Sequence, residues 1–322
     1  MTESLKSCFA LSMENYIVFR AGLGYTNAGL RGKLRHFDRY AQRTLMDFTT
    51  IDPMRFLEFR NQLQGTASTI NNIISAIRGY FDYLLRCEII QESNPLKYLP
   101  GLKVNAFIPF VFSEAQIEQL LCTVSAHIRK EPTYFLKDYS AYMALMLMAR
   151  SGMRISEPLR LKFDQYRKPE GTVYIEKTKL KKSRLIPLPL KSIAELDNYI
   201  AVKKNFGVNS TYLLHCLKGR SLSNNSVYKA FHNAVGRIGI VESLQTIGNT
   251  TFGCPTPHSL RHSFAINTLK QIRNREQSSQ EALPVLMLYM GHSNYSSLQT
   301  YLKVRDAEHR QELFDVYRQM ER

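Results

Sequence analysis

The sequence has no CxxC pair. Its five cysteines, Cys8, Cys87, Cys122, Cys216 and Cys254, are scattered and odd in number. That pattern argues against a zinc cluster and a disulfide framework, and points to a reducing compartment. No run of about 18 uncharged apolar residues occurs, so no membrane span is expected. The opening stretch MTESLKSCFALSMEN has too short an apolar run, and too early an acid, for a secretory signal. A cytoplasmic protein is the expectation. There is no Gly-rich loop of the GxxxxGK(S/T) type to support ATP use, and Asp and Glu nowhere cluster at metal-binding spacing. Internal repeats and low-complexity segments are absent as well.

What the chain does have is positive charge. Its 322 residues carry 43 Lys+Arg against 27 Asp+Glu, a formal charge of +16, and 44% are hydrophobic. It can therefore bury full cores, in about two domains on a soft prior of roughly 150 residues each. The charge is uneven: residues 1–105 are net +4 and residues 106–322 net +12. An excess of this size is costly as self-repulsion, and its usual purpose is a polyanionic partner.

The first hundred residues read as helical. From Ser68, the apolar Ile70, Ile73, Ile74, Ile77, Phe81, Leu84 and Leu85 recur at three- and four-residue steps, the mark of one buried face. The opposite face carries Thr69, Asn71, Asn72, Ser75 and Arg78. Short polar groups plus an arginine suit phosphates and base edges, although the same face would serve as an ordinary solvated side. The helical stretch is expected to end around Asn94-Pro95, because the residue before proline is pushed out of the helical region. Pro95–Pro109 reads as an extended linker, and a new helix opens at Ser113 with Glu114 in its first turn. We place the domain boundary near residue 105.

The second part is mostly helical with one β element. In Gly171–Pro187, Val173 and Ile175 alternate with polar neighbours, and a basic turn leads to Leu185-Ile186-Pro187, which reads as a hairpin with a lysine-rich tip. Ser221–Ile238 forms an amphipathic helix. Its polar side, with Asn224, Asn225, Lys229 and His232, is a candidate for the major groove or simply a polar exterior.

Three short segments hold residues that are seldom spent in a core. In SGMRISEPLRL, Arg154 follows an apolar helix, so its guanidinium must be paired or must face a ligand. Glu157 lies three residues on and could be that partner. In TPHSLRHSF, His258 and Arg261 share a helix face whose start Pro257 permits. In LPVLMLYMGHSNYSSLQTYLKV, His292 follows a glycine and Tyr301 comes nine residues later. Any one of these is weak, since a lone His or Tyr is far more often structural.

Their order and spacing together resemble the catalytic domain of the tyrosine recombinases, the family of phage integrases, transposon recombinases and chromosome-dimer resolvases. The resemblance covers nearly the whole chain. It implies a mainly α fold with a small antiparallel β-sheet, arranged as a two-domain C-shaped DNA clamp. Residues 1–105 would be a helical, SAM-like core-binding domain. Residues 106–322 would be the catalytic domain, ending in a helix exchanged between protomers. By position, Arg154 and Arg261 match the family's catalytic arginines and Glu157 their acidic companion. Lys179, eight residues before Pro187, matches the hairpin lysine, with Lys177, Lys181 and Lys182 close rivals. His258 completes H-x-x-R, His292 is the G-H histidine, and Tyr301 is the nucleophile. Pro158 stands where leucine is common, Gln271–Ala282 is longer than in compact members, and Val241–Cys254 is an unusually polar insert.

The chemistry accounts for these residue types. A phosphodiester repels nucleophiles until its non-bridging oxygens are neutralised, and two guanidinium forks do this better than lysines. Tyrosine has a reference pKa near 10, so a cationic cluster must favour its phenolate, with His258 as proton acceptor or orienter. Family analogy makes Lys179 the general acid for the leaving 5′-oxygen. The 3′-phosphotyrosyl product keeps the bond energy, so no metal or cofactor is expected. The expected partner is double-stranded DNA with paired sites, bound by a homotetramer with no membrane role. A bacterial, phage or mobile-element origin is implied. Thr69, Asn72, Arg78, Asn224, Asn225 and Lys229 are the candidate DNA contacts. The principal alternative is a type IB topoisomerase-like nicking-closing enzyme. The tail after Tyr301 argues against it, because Leu313, Val316 and Met320 form a stripe suited to a neighbouring protomer. A regulator that had lost catalysis would be expected to lack some of the six catalytic residues, and all are present.

Overall fold

Isoleucines at helical spacing organise the first of two units, Met1–Val104. The computed structural model describes residues 4–91, 93–176, 183–207, 210–215, 219–275 and 278–291. The first unit contains α1 (Ala10–Gly22), α2 (Leu30–Arg43), α3 (Pro53–Gln62) and α4 (Ala67–Arg86). Ile70, Ile73, Ile74, Ile77, Phe81 and Leu84 of α4 are buried, each such side chain contributing about 1.5–3 kcal/mol when fully buried. They meet an aromatic cluster in which Phe37 and Phe81 pack edge-on at 5.6 Å and Phe56 and Phe81 at 5.1 Å.

Two expectations for this unit are corrected. Helix α4 stops at Arg86, well before Asn94-Pro95, and Glu88 follows at a positive φ of 56°. The stretch after Asn94 is also no free linker. Asn94 Nδ2 donates to the Arg78 carbonyl at 2.9 Å and to Asp82 Oδ1 at 2.6 Å, while its Oδ1 accepts from Leu96 N. Asn71 clamps both the N–H and the carbonyl of Leu102 at 2.8 Å. The polar face of α4 therefore satisfies a folded-back segment that would otherwise bury bare peptide groups.

The second unit, Asn105–Arg322, contains β1 (Ala106–Ile108), α5 (Glu114–Ala126), α6 (Pro132–Ser151), α7 (Ser156–Arg160), β2 (Tyr166–Arg167), β3 (Thr172–Ile175), β4 (Arg184–Pro187), α8 (Leu190–Asn205), α9 (Asn224–Arg237), β5 (Gln245–Ile247), β6 (Thr250–Phe252), α10 (Pro257–Asn274) and α11 (Ser279–Met290). The unit is mainly helical, around an α6 whose C-terminal part, Ser140–Ser151, is buried almost all round. Among the described residues no helix is long and apolar enough to cross a membrane.

Residues 114–126 become α5 because Ser113 and Gln116 form a reciprocal capping box. The hairpin pairs β3 with β4 in the register Thr172↔Pro187, Val173↔Ile186 and Ile175↔Arg184, with β2 added as a third strand. Its tip, with Lys177, Lys179, Lys181 and Lys182, lies outside the described residues. The polar insert before H-x-x-R folds into the β5–β6 hairpin, whose inner strand pairs in parallel with β1. Entry to this unit is fastened to the β5–β6 hairpin and then to α10: Ala106 N donates to Asn249 O and Gly253 N to Ile108 O, both at 2.8 Å, and Phe112 N donates to Ser263 Oγ on α10 at 2.7 Å.

Candidate active site and DNA-facing surfaces

Four described residues of the expected constellation come from two places: Arg154 and Glu157 after α6, and His258 and Arg261 on α10. Helix α6 ends at Gly152, in the left-handed region at φ 62°. A Cβ there would sit 2.5 Å from Cδ1 of Phe264, so only glycine fits both the turn and the contact. The turn presents the Gly152 carbonyl to Arg261, whose Nη1 donates to it. Pro257 opens α10 with Thr256 as N-cap, which puts Arg261 one turn in. Arg261 is 1% exposed.

A common anchor gathers the arginines. The last carbonyls of a helix lack partners within it and carry its negative end. At the end of α11, three consecutive carbonyls each accept from a different guanidinium. Arg184 Nε donates to Tyr289 O at 2.8 Å, Arg261 Nη2 to Met290 O at 2.6 Å, and Arg154 Nη2 to Gly291 O at 2.9 Å. Gly291 closes the helix at φ 68°, and a Cβ there would stand 3.0 Å from Nη1 of Arg184.

Glu157 lies inside this cluster with a side chain 7% exposed. Its Oε2 accepts from Arg154 N at 2.8 Å, and its Oε1 lies 3.3 Å from Arg154 Nη1. The closer side-chain partner is Arg184, which donates Nη1 to Oε1 at 3.0 Å and Nη2 to Oε2 at 2.9 Å. Burial by itself would raise the Glu157 pKa. The Arg184 hydrogen bonds and charge, the Arg154 N–H and the Arg261 charge outweigh it and hold the carboxyl below its ordinary value.

His258 is exposed in the first turn of α10 and meets the His262 ring edge-to-face at 4.7 Å. Its pKa is lowered, first by the desolvating surroundings on its inner side and then by the Arg261 and Arg154 charges. The imidazole is therefore neutral at pH 7 and able to accept a proton. Tyr289, near His292 in sequence, stacks on Phe264 with centroids 5.8 Å apart. Burial pushes its pKa up to about 12, a poor setting for a phenolate. Lys179, His292, Tyr295 and Tyr301 lie outside the described residues.

Arg184 is the site residue that sequence reasoning missed. Alternation along the hairpin carried the signal, because Arg184 shares a face with the buried Ile186, Val173 and Ile175. Its place at the end of a basic run conceals it.

Of the candidate DNA contacts, Thr69 and Asn72 are exposed on α4. With Lys33, Arg35, His36 and Arg39 of α2 they line a basic cavity of about 450 Å³. Arg78 is different: Nε donates to Leu96 O at 3.2 Å and Nη2 to Leu99 O at 2.9 Å. It fastens the folded-back segment, where the sequence suggests a phosphate contact. Asn224, Asn225 and Lys229 are exposed on α9, and Ser223 caps that helix. Lys229 also lines a groove of about 670 Å³ together with Arg129, Lys137 and Arg237.

Clustered guanidiniums, a neutral histidine beside them and basic helical surfaces are the parts of a site for phosphodiester chemistry on a nucleic acid. Residues 111–308 match the Phage integrase family and residues 25–88 its N-terminal SAM-like domain. The chain is 28% identical over 294 residues to a putative integrase/recombinase, y4rE, of Sinorhizobium fredii, covering 90% of each. It is 26% identical to the tyrosine recombinase XerD of Shewanella oneidensis, over 88% of this chain and 87% of that one. Its fold resembles the XerH site-specific recombinase bound to its palindromic difH substrate, with a TM-score of 0.67 at 20% identity over 89% of this chain and 78% of the other. The chain belongs to the phage integrase family, the tyrosine recombinases. It is an enzyme of site-specific DNA recombination.

Proposed function

We propose that the chain cleaves and rejoins duplex DNA through a 3′-phosphotyrosyl link to Tyr301, in the service of integration, excision or transposition of a mobile element. The observation that carries this reading is the convergence of Arg154 and Arg261 on neighbouring carbonyls at the end of α11, with His258 beside them. The phenolate of Tyr301 attacks the scissile phosphorus. The Tyr301 proton passes to neutral His258, the non-bridging oxygens take up charge against Arg154, Arg261 and His292, and the 5′-oxygen leaves with a proton from Lys179. Catalysis of this kind works by positioning and preorganised charge, and it calls on no metal or cofactor. Religation is the reverse sequence with a different 5′-hydroxyl. Thr69 and Asn72 on one unit, and Asn224, Asn225 and Lys229 on the other, would meet the duplex. Strand exchange between paired sites uses one active site per strand, hence four protomers. A nicking-closing enzyme is not favoured, since the relatives above are named as recombinases.

A suicide duplex taken from the DNA flanking the gene, nicked beside the scissile phosphate, tests this directly. The protein is expected to become trapped covalently. Tyr301→Phe should bind the same duplex without trapping, because it removes one hydroxyl and leaves shape and charge in place. An adduct formed by the phenylalanine variant would place the nucleophile elsewhere.

A further inference from the structure

Arg184 occupies a place that the chemistry above leaves without a role. It stands on β4 with its side chain 10% exposed, and its Nε, Nη1 and Nη2 reach the Tyr289 carbonyl and both oxygens of Glu157. We propose that Arg184 is a positioning residue for strand cleavage: by occupying Glu157 it keeps the Arg154 fork turned toward the scissile phosphate. The inference rests on the reading of the site given above.

The chemistry is one of competition for a carboxylate. Glu157 is nearly buried, and a buried carboxylate must be paired. Two guanidiniums are within reach. With Arg184 in place, both oxygens have a close donor, and Arg154 contributes its backbone N–H at 2.8 Å and a longer 3.3 Å contact from Nη1. The Arg154 side chain stays 26% exposed, and its Nη2 is held by Gly291 O. Without Arg184, the closest cation left to Glu157 among the described residues is Arg154. The buried charge then draws that fork into a two-bond pair of its own, with its donors turned away from the phosphate. Arg184 also ties β4 to the carbonyl that precedes the two held by Arg261 and Arg154. The same side chain therefore fixes the anchor on which both other arginines rest.

This predicts a suppressor. In the full-length protein, Arg184→Ala should still bind the flanking-DNA suicide duplex in a gel shift but form the covalent adduct about a hundredfold more slowly, the scale of a misplaced catalytic group. Adding Glu157→Gln removes the charge that captures Arg154, so the double variant should regain about tenfold over Arg184→Ala alone, a non-additivity of the kind shown by groups in contact. The loss should also shrink on a duplex with a neutral methylphosphonate at the scissile position, since the reacting group then needs less neutralisation. The ratio of the two rates on phosphate and methylphosphonate does not depend on the folded fraction. It therefore separates the outcomes even if Arg184→Ala folds poorly, and Arg184→Lys supplies a second variant that keeps the charge. Wild-type rates for the single variant, a double variant no faster than Arg184→Ala, or equal losses on the two duplexes would each overturn the inference. Failure of the wild-type protein to form any adduct would count instead against the reading of the site.

Discussion

Arg154 and Arg261 are held in different ways, and the difference has measurable consequences. Arg261 is buried with two nitrogens committed to the Gly152 and Met290 carbonyls, whereas the Arg154 side chain remains partly open. Lysine carries the charge but not the fork. Both Arg154→Lys and Arg261→Lys should slow single-turnover adduct formation by about 10²–10³-fold, the scale of losing one aligned donor. Only Arg261→Lys should also lower the melting temperature, because one ammonium cannot serve both carbonyls and a buried acceptor left bare costs about 1–3 kcal/mol. Equal melting temperatures for the two variants would contradict the burial argument. His258 makes a pH prediction. Its folded pKa lies below the ordinary 6.5, so the neutral base persists as pH falls past that value. The acid limb of the cleavage rate should accordingly fall below pH 6.5, in a profile measured under single-turnover conditions. The same shift means that the folded state binds fewer protons there. Its contribution to stability is complete above pH 6.5 and is lost as pH falls through the depressed value.

At the scale of elements, periodicity made the framework legible. The 3.6-residue pattern of α4, the cap at Ser113 and the alternation of β3 with β4 all lie in short windows of sequence. The site was legible in part. Arg154, Glu157, His258 and Arg261 could be picked out because chemistry-bearing residues stand at characteristic spacing. Arg184 could not be separated from its lysine neighbours without the strand register that turns it inward. Nor could Arg78 be told from a phosphate ligand, because its acceptors are carbonyls about 20 residues away in a segment read as extended. The β5–β6 hairpin was hidden because its polar, threonine-rich strands have little alternation of their own and depend on β1. The junction of α6 with α7 gives the prediction at this scale. Gly152→Ala must adopt a left-handed conformation, at about 1–2 kcal/mol, and crowd Phe264, at about 1–3 kcal/mol. A loss of roughly 2–5 kcal/mol is expected in denaturant melts, accompanied by slower cleavage, because the carbonyl that holds Arg261 moves with the turn.

For the whole molecule, charge and assembly are the governing quantities. Most of the positive excess belongs to residues 106–322, the part with the arginine cluster, so salt should weaken binding by that part more steeply. The tail beyond Val304 lies outside the described residues, and its apolar stripe of Leu313, Val316 and Met320 makes it the candidate for coupling neighbouring protomers. Truncation after Val304 should leave single-site binding nearly intact in gel shifts, abolish recombination between paired sites, and disturb the pattern of cleavage. Full recombination by the shortened chain would remove the tail from synapsis. One further consequence concerns the covalent thread between the two units. It enters the second unit as β1, pairs with β6, and is then bonded through Phe112 N to Ser263, two residues after Arg261 on the same helix. The two candidate catalytic arginines are thus fastened differently to the entering strand: Arg261 shares α10 with Ser263, the acceptor of Phe112 N, and Arg154 lies between α6 and α7.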